Sequence, residues 1–176
     1  MAMTPGLRKL ALTAHITTSV GWLGAVAGFL ALAIAGLTSP DVQLMRAAYL
    51  AMALTGWFVI VPLSVASLVT GLVASLGSPW GLFQHYWVVA KLLITVIASV
   101  VLLGHMRPIS AIARVAAGTT LSATELVDVR LQLVGDAGAA LAVLVLAATL
   151  SVYKPRGRTR YGQRTLRAEA RRSPTP

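Results

Sequence analysis

The sequence predicts an all-α protein, a four-helix transmembrane bundle. Only 11% of its 176 residues are charged, whereas a soluble domain carries about 25% to keep its surface wetted. Hydrophobic residues make up 57% of the chain and the mean hydropathy is +0.79. The apolar residues also fall in runs of roughly 20 or more, the length needed to cross the hydrocarbon core of a bilayer. A buried soluble core would not need runs of that length.

Arg8 and Lys9 precede the first run, at about 10–37. It is too long for the apolar region of a signal peptide, which spans roughly 7–15 residues, and reads as a membrane helix. Thr38-Ser39-Pro40-Asp41 ends it with turn chemistry. The second span covers about 47–76. Pro62 lies inside it and should kink it, because proline removes a backbone donor and crowds the preceding turn. Ser78-Pro79 reads as the next helix start, and Trp80, Phe83, Tyr86 and Trp87 cluster there. Such rings favour the membrane–water interface.

The third span covers about 86–106. The following stretch, to about Asp136, is more polar. Within it Ser122-Ala123-Thr124-Glu125 matches a capping box, in which serine and glutamate satisfy each other's backbone donors. The fourth helix is therefore expected over about 122–153, its first third projecting from the membrane. Residues 1–153 form one four-span domain and 154–176 a basic tail. The tail has too few apolar residues to order itself and is expected to be solvated.

Charge sets the topology. Eight of the 15 basic residues lie in the tail (Lys154, Arg156, Arg158, Arg160, Arg164, Arg167, Arg171, Arg172). A basic segment beside a membrane span is first a topology signal and second a surface for anionic lipid. Nucleic acid is not an expected partner despite the net charge of +10, since no folded reading module accompanies the tail. Four spans place both termini on one side. Arg8 and Lys9 bring the basic residues there to ten, against Arg46, Arg107, Arg114 and Arg130 on the other. Both termini are therefore expected inside. The absence of cysteine removes disulfides, thiolate metal sites and cysteine nucleophiles.

Ionisable side chains inside a span are costly and tend to mark function. The candidates are His15, Lys91, His105 and Asp136, with His85 at the interface. Ser19 and Trp22 share the helical face of His15. Gly21, Gly24 and Gly28 offer small surfaces for a close approach. Lys91, Thr95, Ser99 and His105 form a polar stripe on the third span. The first and third spans run in the same direction, so His15 and Lys91 are expected at similar depth. The plain alternatives are a histidine bonded to a neighbouring carbonyl, a lysine snorkelling to the interface, His105 ending its span, and Asp136 paired with Arg46 or Arg107.

Thr13-Ala14-His15-Ile16 followed by Gly21-Trp22-Leu23-Gly24 resembles the H-x(6)-W-x-G first span of several four-helix membrane proteins. Trp87-Val88-Val89-Ala90-Lys91-Leu92-Leu93, ending at Gly104-His105, resembles the W-x(3)-K-L-L third span of the same group. The group includes HemJ-type protoporphyrinogen oxidases, CopD-type copper-resistance domains and an uncharacterised bacterial integral membrane family, the last being the most similar. The resemblance covers about residues 10–106. It implies a bacterial plasma-membrane protein in which His15 and Lys91 serve haem b binding and catalysis. The chain departs from the HemJ-type pattern at Ala25-Val26-Ala27-Gly28-Phe29, where that family carries arginine, tyrosine and histidine.

The expected function is haem-b binding in electron transfer or tetrapyrrole redox chemistry. His15 is the expected axial ligand and His85 a second protein ligand, with Ser19 and Trp22 lining the cofactor. Lys91 is placed on a propionate or on substrate. Besides the lipid bilayer, the composition allows anionic lipid at the tail and a homo-oligomer as partners. The alternatives are a non-enzymatic accessory or scaffold protein, and a transporter subunit carrying a small ion or metabolite along the stripe of Lys91, Thr95 and Ser99.

Overall fold

The computed structural model describes residues 3–77, 82–118, 127–153 and 157–164. Its helices are α1 (Pro5–Thr38), α2 (Val42–Thr55), α3 (Val61–Leu76), α4 (Tyr86–Ala117) and α5 (Val127–Tyr153). A π-helical turn, Gly56–Ile60, joins α2 to α3 without a break, so Val42–Leu76 forms a single span. Four helical segments are thus long and apolar enough to cross a membrane.

Local chemistry sets the helix starts. Thr4 accepts the Leu7 N–H at 3.4 Å and Pro5 opens α1, a position where its missing N–H leaves no intrahelical bond unmade. Asp41 accepts the Gln43 N–H at 2.8 Å and starts α2 at Val42, ahead of the start near 47 expected from hydropathy. A cap binds the first free N–H groups wherever its oxygen reaches them, regardless of where the apolar run begins.

At Pro62, where a kink was expected, the helix carries a π-type register shift. The Val61 N–H bonds the Gly56 carbonyl in a π-type bond just before the proline. One extra residue in the turn absorbs the lost donor, and helical structure continues. Gly56 also lets α4 come close: a Cβ there would stand 2.7 Å from Met106 Cε. Trp57 Nε1 donates to Ser110 Oγ at 3.0 Å from the same turn. On α4, Pro108 does not end the helix near 106. The Ser110 hydroxyl bonds the Met106 carbonyl at 2.8 Å, and α4 runs on to Ala117, as packed membrane helices permit. The capping box at 122–125 lies outside the described residues.

The helices form an up-down-up-down bundle. α1 packs on the α2–α3 span and on α5, and α4 packs on the same two neighbours. α1 and α4 are therefore diagonal. The buried apolar core, including Trp22, Phe29, Met52, Ile60, Met106, Ile109 and Leu133, fills the half nearest the α1–α2 and α4–α5 connections. The start of α1 and the end of α5 lie at the other end.

The start of α5 packs against the bundle through Arg130 and Leu133. Arg130 Nε donates to Tyr49 Oη at 2.7 Å and Nη2 donates to the Gly36 carbonyl at 2.5 Å. The guanidinium thus satisfies free carbonyls at the negative end of α1. Part of the tail is docked as well as exposed. The Thr159 N–H donates to the Gln84 carbonyl at 3.0 Å, and His85 and Arg158 form an isolated antiparallel bridge. Hydrogen bonds to the backbone of a loop hold residues 157–164 in place.

Candidate polar seam between the first and second spans

The half of the bundle near the termini holds a polar seam between α1 and α3. Apolar runs form both helices, but each interrupts its facing side at helical spacing: His15, Thr18 and Ser19 on α1, and Ser64, Ser67, Thr70 and Gly71 on α3. Gly71 makes the seat. A Cβ there would lie 2.9 Å from His15 Cε1 and 3.3 Å from Nδ1, so any larger residue would displace the ring.

His15 Nδ1 stands 3.2 Å from the Ser67 carbonyl. A carbonyl only accepts, so Nδ1 carries the proton and donates. In the neutral ring this leaves the lone pair on Nε2, for which the described residues offer no hydrogen-bond partner. Hydroxyls pack round the same anchor. Ser19 Oγ and Ser67 Oγ are 2.8 Å apart, Thr18 Oγ1 and Thr70 Oγ1 are 3.2 Å apart, and Thr70 Oγ1 lies 3.4 Å from His15 Nδ1. The Thr70 hydroxyl donates to the Ala66 carbonyl at 2.6 Å, which fixes its rotamer. Ser67 is buried, while His15, Thr18, Ser19 and Thr70 are half-buried. The ring is held yet not sealed away.

Lys91 is half-buried on α4, and its ammonium is within electrostatic reach of His15 across the bundle. Gly56 meets Met106 of α4 and Gly71 meets His15; Lys91 and Gly71 are each fifteen residues from that first contact, so Lys91 lies near the level of His15. Thr95 turns its hydroxyl back onto the Lys91 carbonyl at 2.8 Å. Trp22 is buried two turns beyond His15, its indole N–H without an acceptor among the described residues; the buried Ser99 hydroxyl on α4 is in the same situation. His85 is buried at the N-cap of α4, its ring centroid 6.4 Å from that of Trp87. That is the terminal end of the bundle, whereas His15 lies inside it. The structure thus brings together His15 and Ser19, sets Lys91 opposite them and Trp22 deeper, and leaves His85 at the end.

His105 and Asp136 form a second polar site, on α4 and α5. His105 Nδ1 lies 2.8 Å from the Val101 carbonyl, and Nε2 lies 3.0 Å from Asp136 Oδ2. That approach is an ion-pair distance, out of line for a good hydrogen bond, since Oδ2 makes none. Asp136 therefore pairs with His105, not with Arg46 or Arg107 as considered from sequence.

Sequence reasoning missed Ser67, Thr70 and Gly71, and also the Arg130–Tyr49 contact. The first three carried a readable signal: Ser64, Ser67 and Thr70 recur every third residue in an otherwise apolar span. The Arg130 contact carried none, because Tyr49 is 81 residues away in sequence. Among the described residues no three His, Cys, Asp or Glu side chains gather as a metal site.

Fold and seam together define a multi-pass helical membrane protein with one anchored histidine inside its first span. No family model, curated protein or solved structure matches the chain.

Proposed function

We propose that this protein binds haem b through His15 and serves electron transfer or tetrapyrrole redox chemistry in a bacterial plasma membrane. The observation that carries the reading is the Nδ1 contact of His15 with the Ser67 carbonyl at 3.2 Å. Metal-binding histidines commonly donate their other ring N–H to a carbonyl, which fixes the tautomer and orients the ring. Neutral imidazole is the form that ligates iron. The buried Trp22 N–H, without a protein acceptor among the described residues, suits a polar group of a ligand.

The donor set fits a haem held by one protein ligand. His85 at the bundle end is a poor second ligand for the same iron. Bound haem would supply one-electron chemistry, its potential set by the apolar helices and the axial ligand. The chain's own residues do the rest. Ser67 and Thr70 hold the His15 ring against Gly71. Lys91, across the bundle, offers a positive charge to a propionate or to an anionic substrate. The packed core beyond Trp22 keeps water from entering from the opposite end.

The test is an absorbance spectrum of the purified protein before and after dithionite. A Soret band that His15→Ala abolishes or shifts strongly supports the reading. A colourless protein grown with ample haem supports a non-enzymatic membrane module in its place. Both termini are proposed to face the cytoplasm, from the basic asymmetry. A C-terminal reporter that is active only in the periplasm would overturn that orientation.

A further inference from the structure

The described part of the tail is pinned in a way that aims its charge. Thr159 bonds the loop from both its groups: its N–H to the Gln84 carbonyl at 3.0 Å, and its hydroxyl to the Phe83 carbonyl at 2.5 Å. Gly162 is buried, and a Cβ there would run into the Gln84 carbonyl. Residues 160–164 form a short helical turn. Arg160 and Arg164 stand two residues either side of Gly162. At about 100° per residue they lie on the face opposite to it, and both are exposed, as is Arg158. The glycine faces the loop and the guanidiniums face away.

The surroundings match a membrane surface. Phe83, Tyr86, Tyr153 and Tyr161 are exposed at this end, the arrangement of an interfacial aromatic belt. Arg8 and Lys9 are exposed there too. The acidic residues among those described, Asp41, Asp128 and Asp136, lie on α5 and at the start of α2, in the opposite half. A phosphate diester at headgroup depth would meet arginine forks and aromatic edges with no described carboxylate nearby. Guanidinium binds phosphate oxygens in pairs.

We infer that residues 158–164, docked on the loop at 83–85, form a binding surface for the phosphate of an anionic phospholipid headgroup. The selectivity comes from docking, which fixes Arg158, Arg160 and Arg164 at headgroup level, and not merely from the basic content of residues 154–176. The inference is independent of haem.

The experiment is native mass spectrometry of the full-length protein in detergent, titrated with phosphatidylglycerol and with phosphatidylcholine. Wild type should retain phosphatidylglycerol in preference. Replacing Arg158, Arg160 and Arg164 by Gln should reduce that preference, by about fivefold for each arginine. Gly162→Leu keeps every charge but blocks docking, and it should weaken retention to a comparable degree. Circular dichroism and a monodisperse profile check that each variant keeps its helices. Full retention by Gly162→Leu would overturn the inference in favour of a diffuse polybasic tail. Displacement of the lipid by millimolar inorganic phosphate would overturn it in favour of a soluble-anion site.

Discussion

The two intramembrane histidines are built alike on one side of the ring and oppositely on the other. In each, Nδ1 is anchored on a backbone carbonyl: Ser67 at 3.2 Å for His15, Val101 at 2.8 Å for His105. The His15 anchor comes from a neighbouring helix, whereas the His105 anchor lies one turn back on its own. At Nε2 they part. His15 has no partner there among the described residues, while His105 meets Asp136 at 3.0 Å. The same residue type thus stands in two settings. An imidazole whose anchor lies across a helix interface, with no partner for Nε2 among the described residues, has the orientation that the proposed haem ligation needs. An imidazole whose two nitrogens both meet protein groups links α4 to α5.

The sharpest way to break this comparison is spectral. If haem binds at the open imidazole, His15→Ala removes or strongly shifts the Soret band, while His105→Ala leaves it nearly unchanged. Loss of haem in the His105 variant alone would reverse the assignment and place the site in the opposite half of the bundle. Lys91→Ala is expected to change redox behaviour or turnover more than haem content, since it touches the ligand's charge and not its iron.

A smaller effect tests the seat and not the ligand. Gly71 is the surface on which His15 lies. Gly71→Leu should push the ring off the Ser67 carbonyl and lower haem retention, with His15 itself intact. The check is haem content per protein after gel filtration, alongside helicity by circular dichroism. Wild-type retention in a folded Gly71→Leu protein would show that the anchored ring position does not matter for the ligand.

The halves of the molecule differ also in how far they were legible. The four apolar spans are visible in the sequence because lipid demands long uninterrupted apolar runs. Their ends are less so. Asp41 starts α2 through a side-chain cap, and α4 passes Pro108 because neighbouring helices sustain it; neither effect is a hydropathy signal. His15 and Lys91 stand out because charge and imidazole are rare in a span. Their partners on α3 are hydroxyls and a glycine, residue types common enough in membrane helices that only the facing helix gives them meaning. The pairing of His105 with Asp136, and of Arg130 with Tyr49, depends on which helices are neighbours and at what height. The diagonal placement of α1 and α4 was equally hidden, since four antiparallel spans of similar length fit more than one order around the axis.

The smallest expected effect concerns the closed histidine. His105 and Asp136 are about one-third exposed, with side chains at 31% and 39%. Their contact is close in distance but poorly aligned. Both facts argue against a large contribution, and polar contacts between membrane helices average about 0.6 kcal/mol in double-mutant cycles. A cycle of His105→Ala, Asp136→Ala and the double variant, read by thermal unfolding in detergent, should give a coupling of about that size. Asp136→Ala alone should cost little more than that coupling, because the carboxylate makes no aligned hydrogen bond to the imidazole and both side chains are partly exposed. A coupling indistinguishable from zero would mean that the two side chains only share a location, and His105 would then be as open at Nε2 as His15. The distinction between the two histidines would rest on the Ser67 anchor alone, and the spectral comparison would have to decide between them unaided.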